Sequence, residues 1–118
     1  MKIYFKGSIF TPDSLTANEV YLTYPPIIVS CAVCKDSIGF TLKSFIKYSL
    51  NKTSNLTDED DSRINKFLEK HQGKLSKYPV NSFIDYYCPA CKTPIRIYFQ
   101  AWGGGRFTHG YVVHYIVE

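Results

Sequence analysis

Two short stretches, "CPAC" at residues 88–91 and "CAVC" at residues 31–34, decide how this chain folds. Each places two cysteines three positions apart, and 53 residues (35 through 87) lie between the pairs. Two intervening residues let one tight turn direct both sulfurs at one ion, so two such turns complete the tetrahedral shell of a Zn²⁺ ion. The spacing therefore predicts a single metal site whose ligands are Cys31, Cys34, Cys88 and Cys91.

Four paired thiols have other uses. A dithiol redox centre or a set of disulfides is one alternative, and iron in place of zinc, or cysteines that are merely buried, is another. The redox alternative is disfavoured because neither pair lies in the strand–helix context of a dithiol-oxidoreductase motif. Four cysteines also leave zinc no open coordination position for catalysis, so the prediction is one structural Zn²⁺ that stabilises the fold.

The composition bounds the class of protein. At 118 residues the chain has the size of one domain, and we expect residues 1–118 to form a single zinc-stabilised unit. Apolar residues make up 45% and aromatic residues 16%, which excludes a disordered chain. The formal charge of +4 gives only a mild positive field. Because the sequence contains neither a signal-peptide pattern nor a membrane-spanning apolar stretch, we expect a soluble cytoplasmic protein without a membrane partner.

Apolar alternation predicts strands up to the first cysteine pair. The stretches "KIYFKGSIF" (2–10) and "EVYLTY" (19–24) alternate as half-buried strands do, and "IIVSCAVCK" (27–35) carries an apolar strand into the first pair. The stretch "GFTLKSFIKYSL" (39–50) fits both periods, and we interpret it as a strand that passes into a short helix.

One helix is predicted between the cysteine pairs, around residues 58–72. Thr57 has the side chain of an N-cap, and the four carboxylates at 58–61 suit the positive end of a helix dipole. An apolar stripe then runs from Ile64 to His71. We expect His71 to pack against the stripe or to cap the helix rather than to act as a ligand. Gly73 is predicted to end the helix in the left-handed conformation.

A β-hairpin is predicted after the second cysteine pair. Residues 95–100 alternate Ile95, Ile97 and Phe99 against polar or amphipathic neighbours, and residues 109–117 are apolar on both faces, as in a central strand. The chain resembles the zinc-ribbon class in these segments, because "CAVC" and "CPAC" read as two cysteine knuckles and the second enters the hairpin of "TPIRIYFQAW" and "RFTHGYVVHYIV". The resemblance implies an α+β fold, with an antiparallel sheet, a four-cysteine site and one or two helices inserted between the cysteine pairs.

The hairpin tip contains the residue types that are enriched in binding sites. The stretch "AWGGGRFTHGY" (101–111) combines aromatic, arginine and histidine side chains at a glycine-rich turn. These glycines also suit a tight turn with no binding role. The candidate partner-binding residues are Trp102, Arg106, Phe107, His109 and Tyr111.

Three classes of function are compatible with this pattern. The first is a non-catalytic zinc-binding module that binds another protein, as an inhibitor, immunity or adaptor protein. The second is a nucleic-acid-binding zinc ribbon, with a basic surface drawn from Lys2, Lys6, Lys92, Arg96 and Arg106. The third is an enzyme, which would need a metal-free thiolate or a carboxylate beside His109. Because the sequence has no catalytic motif, the first class is the prediction and no enzymatic activity is expected.

Overall fold

The computed structural model describes residues 1–10, 27–40, 54–103 and 109–118. The strands in these ranges are β1 (Ile3–Phe10), β2 (Ile27–Ser30), β3 (Ser37–Phe40), β4 (Ser82–Tyr87), β5 (Pro94–Gly103) and β6 (His109–Val117). The helices are α1 (Asp58–Glu69) and the single turn α2 (Gln72–Leu75). The predicted α+β class is confirmed. The expected strand at 19–24 and the segment 41–50 lie outside the described residues.

Four of the strands form an antiparallel sheet in the order β1-β6-β5-β4. The predicted hairpin is confirmed, because β5 and β6 pair from Arg96 opposite Val117 to Gly103 opposite His109. β6 has a paired neighbour on both sides, as its two apolar faces predicted. The first cysteine pair lies in the turn that joins β2 to β3, and these two strands pair antiparallel in a separate two-stranded sheet.

The alternation along β5 assigns its side chains to two apolar clusters. Ile95, Ile97 and Phe99 are buried on the face that also buries Cys31 and Cys88. On the other face, Tyr98 packs with the cluster formed by α1, α2 and β6. The strand therefore links the cysteine cluster to the helical side of the molecule.

A β-bulge interrupts the regular alternation that the sequence predicted for β6. Tyr98 pairs with Tyr115, but the next residue, Phe99, pairs with Val113, so His114 has no partner in the β5 ladder. As a result Val113 and Ile116 belong to the same buried cluster, although strict alternation would place them on opposite faces. The pattern of apolar residues could not show this shift, because both faces of β6 are apolar.

Helix α1 begins as predicted. The Thr57 hydroxyl accepts a hydrogen bond from the Asp60 N–H, and the acidic residues of 58–61 occupy the first turn. The prediction for Gly73 is wrong. The helix ends at Glu69 with Lys70 in a right-handed conformation, and Gly73 lies within α2 without a left-handed backbone. The chain tightens into short turns here, and the Lys70 N–H donates to the carbonyls of Phe67 and Leu68.

A buried ion-pair network fixes the first turns of α1 on the sheet. The Arg96 guanidinium donates to both oxygens of Asp85, from Nε at 2.6 Å and from Nη2 at 2.9 Å, and it also pairs with Asp61 of α1. Nη1 donates to Asn65 Oδ1 at 3.3 Å and to the Tyr98 hydroxyl at 3.4 Å. One cation thus ties α1, β4 and β5 together.

The same network corrects the predicted basic surface. Arg96 is 2% exposed, so it cannot contribute to a nucleic-acid surface. Burial disfavours its charge, but the carboxylates of Asp85 and Asp61 raise the pKa of Arg96 above its ordinary value. Its Cζ atom also lies 4.5 Å from the centre of the Phe83 ring. Of the other predicted cations, Lys2 and Lys92 are exposed, and the side chains of Lys6 and Arg106 lie outside the described part of the chain.

Candidate metal centre

Two turns with the same hydrogen-bond pattern carry the four cysteines. In the first, the Cys31 N–H donates to the Asp36 carbonyl at 2.8 Å and the Lys35 N–H donates to the Cys31 carbonyl at 2.9 Å. In the second, the Cys88 N–H donates to the Thr93 carbonyl at 2.9 Å and the Lys92 N–H donates to the Cys88 carbonyl at 2.8 Å.

Each turn closes with a lysine in the left-handed region. The φ angle is 68° at Lys35 and 62° at Lys92, which is rare for a residue with a Cβ atom. This conformation reverses the chain directly after the second cysteine of each pair, so that both sulfurs of the pair face the same way.

The four sulfurs converge in one cluster. Cys31 Sγ lies 3.5 Å from Cys91 Sγ, Cys34 Sγ lies 3.6 Å from Cys88 Sγ, and all four sulfurs lie within 4.8 Å of one another. A tetrahedron with metal–sulfur bonds of about 2.3 Å has sulfur–sulfur edges of about 3.8 Å. The donor set and its spacing fit a tetrahedral metal ion, and the arrangement is compatible with a zinc-ribbon-like site.

The cluster is buried on one side and accessible on the other. Cys31 and Cys88 are fully buried against the apolar face of the main sheet, whereas Cys34 and Cys91 are partly exposed. The first cysteine of each pair therefore anchors the turn in the core. The second cysteine faces the surface, through which an ion can enter.

Local hydrogen bonds distribute the charge within the cluster unevenly. The Thr93 hydroxyl lies 3.1 Å from Cys91 Sγ, and hydrogen bonds from its side chain and backbone lower the pKa of Cys91 to about 6. The Asp36 N–H favours the thiolate of Cys34, but burial and hydrogen bonds with the other thiols outweigh it and raise the pKa of Cys34 to about 12. Burial likewise raises the pKa of Cys31. Because metal binding requires thiolates, an incoming ion must displace protons from this cluster.

Glu118 contacts the cysteine cluster, and no local sequence pattern marks it as a neighbour of the cysteines. Its Oε2 accepts a hydrogen bond from the Ala32 N–H at 2.6 Å and lies 3.6 Å from Cys31 Sγ. The residue is 7% exposed. It follows β6 directly, and Glu118 and Lys2 exchange backbone hydrogen bonds at 2.7 and 3.0 Å, which hold its carboxylate beside the first cysteine turn.

The predicted partner-binding residues lie away from the cysteines. Trp102, His109 and Tyr111 occupy the far end of the β5–β6 hairpin, where Trp102 pairs with Gly110 and Tyr111 pairs with Ala101. Nine residue steps along β5 correspond to about 30 Å, so the hairpin tip and the cysteine cluster are separate regions. Arg106 and Phe107 lie outside the described residues, and the binding role of all five residues stays a prediction.

The histidines outside the hairpin tip have packing environments. His71 Nδ1 lies 3.0 Å from the Phe67 carbonyl oxygen, and the two rings lie 4.7 Å apart, which agrees with the packing role predicted for His71. The His114 ring lies 5.7 Å from the Tyr78 ring, and burial lowers its pKa. Among the described residues, the four cysteines are the one group of His, Cys, Asp or Glu side chains whose donor atoms converge as metal ligands do.

Comparison of this chain with models of protein families, with curated proteins and with solved structures finds no match. Within the described ranges, no helix is both long and apolar enough to cross a membrane. The inference about function therefore depends on the geometry of this molecule.

Proposed function

We propose that Cys31, Cys34, Cys88 and Cys91 bind one structural Zn²⁺ ion. The observation that carries this proposal is the convergence of four sulfurs within 4.8 Å of one another, on two turns with matching hydrogen bonds. Thiolates are soft ligands, and the protein sites that present four of them hold zinc or iron. The ion would join the β2–β3 sheet to the four-stranded sheet, and its binding energy would contribute to folding.

Metal replacement tests this proposal. Purified protein should contain one zinc per chain by native mass measurement, and Co²⁺ in its place should give the visible absorption of tetrahedral thiolate coordination. Cys88→Ser should lose the metal and lower the melting temperature, whereas Ser62→Cys, an added thiol at an exposed position of α1, should leave the metal content at one. An unchanged melting temperature in Cys88→Ser would refute the structural role, and iron in the purified protein would refute the choice of zinc.

We further propose that the domain is a non-catalytic module that binds another protein. Four cysteine ligands would leave the ion no open position for a substrate or a water nucleophile. The tips of both cysteine turns are exposed: Val33 is 64% exposed, and Pro89 and Ala90 are exposed beside the second pair. Apolar side chains at such positions suit contact with a partner surface. An inhibitor, immunity or adaptor role is the form of protein binding that we propose.

Affinity purification from the native host tests the partner. The tagged protein should retain a discrete protein after nuclease treatment. Val33→Asp and the double variant Trp102→Ala/Arg106→Ala examine the two candidate surfaces separately, and Lys70→Ala, at an exposed position of the helical region, is the matched control. Recovery of nucleic acid that is lost with nuclease and added salt would support the nucleic-acid alternative instead, although the buried Arg96 weakens the basic surface first predicted for it.

A further inference from the structure

A cavity of about 720 Å³ lies between the helices and the sheet, on the face opposite the cysteine cluster. Its apolar walls include Leu68, Leu75, Tyr78, Tyr98 and Tyr115. The volume lies within the range of about 300 to 1,000 Å³ that is typical of small-molecule sites.

Three tyrosine rings give the cavity an aromatic wall. The centres of the Tyr98 and Tyr115 rings lie 4.9 Å apart, and those of Tyr78 and Tyr115 lie 5.8 Å apart. Tyr115 is 5% exposed, whereas Tyr78 and Tyr98 are partly exposed. A planar ligand can therefore stack on Tyr78 or Tyr98, as nucleobases stack on aromatic side chains.

Two ammonium groups lie on the Tyr78 side of the cavity. Lys77 Nζ is 5.5 Å from the centre of the Tyr78 ring, and Lys74 Nζ is 5.1 Å from the centre of the Phe5 ring. Phe5 in turn stacks on Tyr78 with the ring centres 5.1 Å apart. Neither lysine lines the cavity itself, but both are exposed beside the Phe5–Tyr78 ring stack, and Tyr78 does line it. An anion at that edge of the cavity can therefore meet their charges.

Polar groups line the α1 side of the cavity. Glu69 supplies a carboxylate, and Asn65 and Gln72 supply amides. Carboxylates accept hydrogen bonds from ribose hydroxyls in nucleotide-binding proteins, and amides can pair with the edge of a base. The four carboxylates at 58–61 lie at the N-terminal end of α1, whereas residues 66–77 contain four basic residues and one acidic residue, Glu69, so the positive charge is concentrated at the end of the helical region that carries Lys74 and Lys77.

We propose that this cavity binds a nucleobase joined to a sugar phosphate, with the base against the tyrosines, the sugar toward Glu69 and the phosphate at Lys74 and Lys77. The aromatic wall, the two lysines beside the Phe5–Tyr78 ring stack and the Glu69 carboxylate match the three parts of a nucleotide. The same chemistry occurs in a free nucleotide and in one unit of a single strand. This binding site is independent of the proposed protein partner and of the hairpin tip.

Titrations of the intact, zinc-loaded protein test the proposal. The probes are adenosine and guanosine monophosphates, followed calorimetrically, and a fluorescein-labelled single-stranded DNA of about twelve nucleotides, followed by anisotropy. Lys74→Ala/Lys77→Ala should weaken binding about tenfold or more. Lys66→Ala/Lys70→Ala removes the same charge from exposed positions whose ammonium groups are not those over the Phe5 and Tyr78 rings, and it should change the affinity less than twofold.

A second variant tests the cavity rather than its charge. Ser76 is exposed and lines the cavity, so Ser76→Trp should fill the space without unfolding the protein, as circular dichroism would verify. Binding of a mononucleotide that is lost in Ser76→Trp supports a free-nucleotide site, and binding of the DNA alone with the same loss supports a site for a single strand. Absence of binding by every probe, equal losses in the two lysine variants, or normal binding by Ser76→Trp would each overturn the proposal.

Discussion

The ion pair between Arg96 and Asp85 should be the most sensitive polar contact in the described structure. The side chains of Arg96 and Asp85 are 3% and 0% exposed, respectively. Replacing Arg96 with Met keeps an unbranched chain of similar length against the Phe83 ring but removes the cation. Asp85 then keeps the Ser54 hydroxyl, which donates at 2.7 Å, as a hydrogen-bond partner for a buried carboxylate.

The expected loss follows from the bonds that are broken. Arg96 donates two hydrogen bonds to Asp85, and each such bond to a charged group is worth about 1.5 to 3 kcal/mol. Asp61 retains access to water, since its side chain is 36% exposed, and it adds little to the cost. We therefore expect Arg96→Met to lower the free energy of unfolding by about 3 to 5 kcal/mol, the range for removing one partner of a buried pair.

Urea unfolding of the purified protein, followed by far-ultraviolet circular dichroism, measures this loss. Arg63→Met is the matched control, because Arg63 is 62% exposed and its 3.5 Å pair with Asp60 should be worth less than about 1 kcal/mol. The double variant Arg96→Met/Asp85→Leu removes both charges and should recover much of the stability, giving a coupling energy above about 2 kcal/mol. Equal losses in Arg96→Met and Arg63→Met, or additive effects in the double variant, would refute the reasoning.

Three further variants test local features. Thr57→Ala removes the N-cap of α1 and should lower the free energy of unfolding by about 0.5 to 2 kcal/mol in the same urea assay. A loss below about 0.3 kcal/mol would contradict that role. The hydrogen bond from the Tyr87 hydroxyl lowers the pKa of Asp60 below its ordinary value, so its contribution is present above about pH 4 and lost as the pH falls further. The stability difference between wild type and Tyr87→Phe should therefore shrink from pH 5 to pH 2, and a difference independent of pH would rule out this linkage. Lys92→Gly should raise the melting temperature, because it relieves a left-handed backbone that costs about 1 to 2 kcal/mol, whereas Lys92→Val should lower it; the reverse order would show that the φ of 62° is not strained.

The elements with strong local signals were predicted from the sequence. The N-cap and the acidic first turn of α1, the alternation of Ile95, Ile97 and Phe99, and the β5–β6 hairpin all depend on residues close together in the chain. The convergence of the four cysteines was also predictable, because the paired spacing specifies two similar turns. These features needed no knowledge of the tertiary fold.

Features that depend on distant residues were missed. Arg96 was grouped with surface cations, because the sequence does not show that Asp85 lies opposite it in the sheet and that Asp61 approaches from the helix. Glu118 contacts a cysteine turn 86 positions away, and no local pattern marks it. The sequence pattern placed the end of α1 at Gly73 because glycine often follows the last residue of a helix. In the structure Gly73 instead lies inside the second, single-turn helix α2. In each case tertiary contacts determined the outcome.

The order of the strands has a consequence for the synthesis of the chain. β1 pairs with β6, the first described strand with the last, so the sheet cannot be completed until β6 has been synthesised. Cys31 and Cys34 are likewise synthesised before Cys88 and Cys91. At a translation rate of about 5 to 20 residues per second, the interval between the two pairs is roughly 3 to 11 s. During that interval two thiols of the nascent chain lack their eventual partners and are open to oxidation or to the wrong ion. With the proposed structural metal, the supply of metal and reductant during translation should therefore influence how much of the protein reaches this fold.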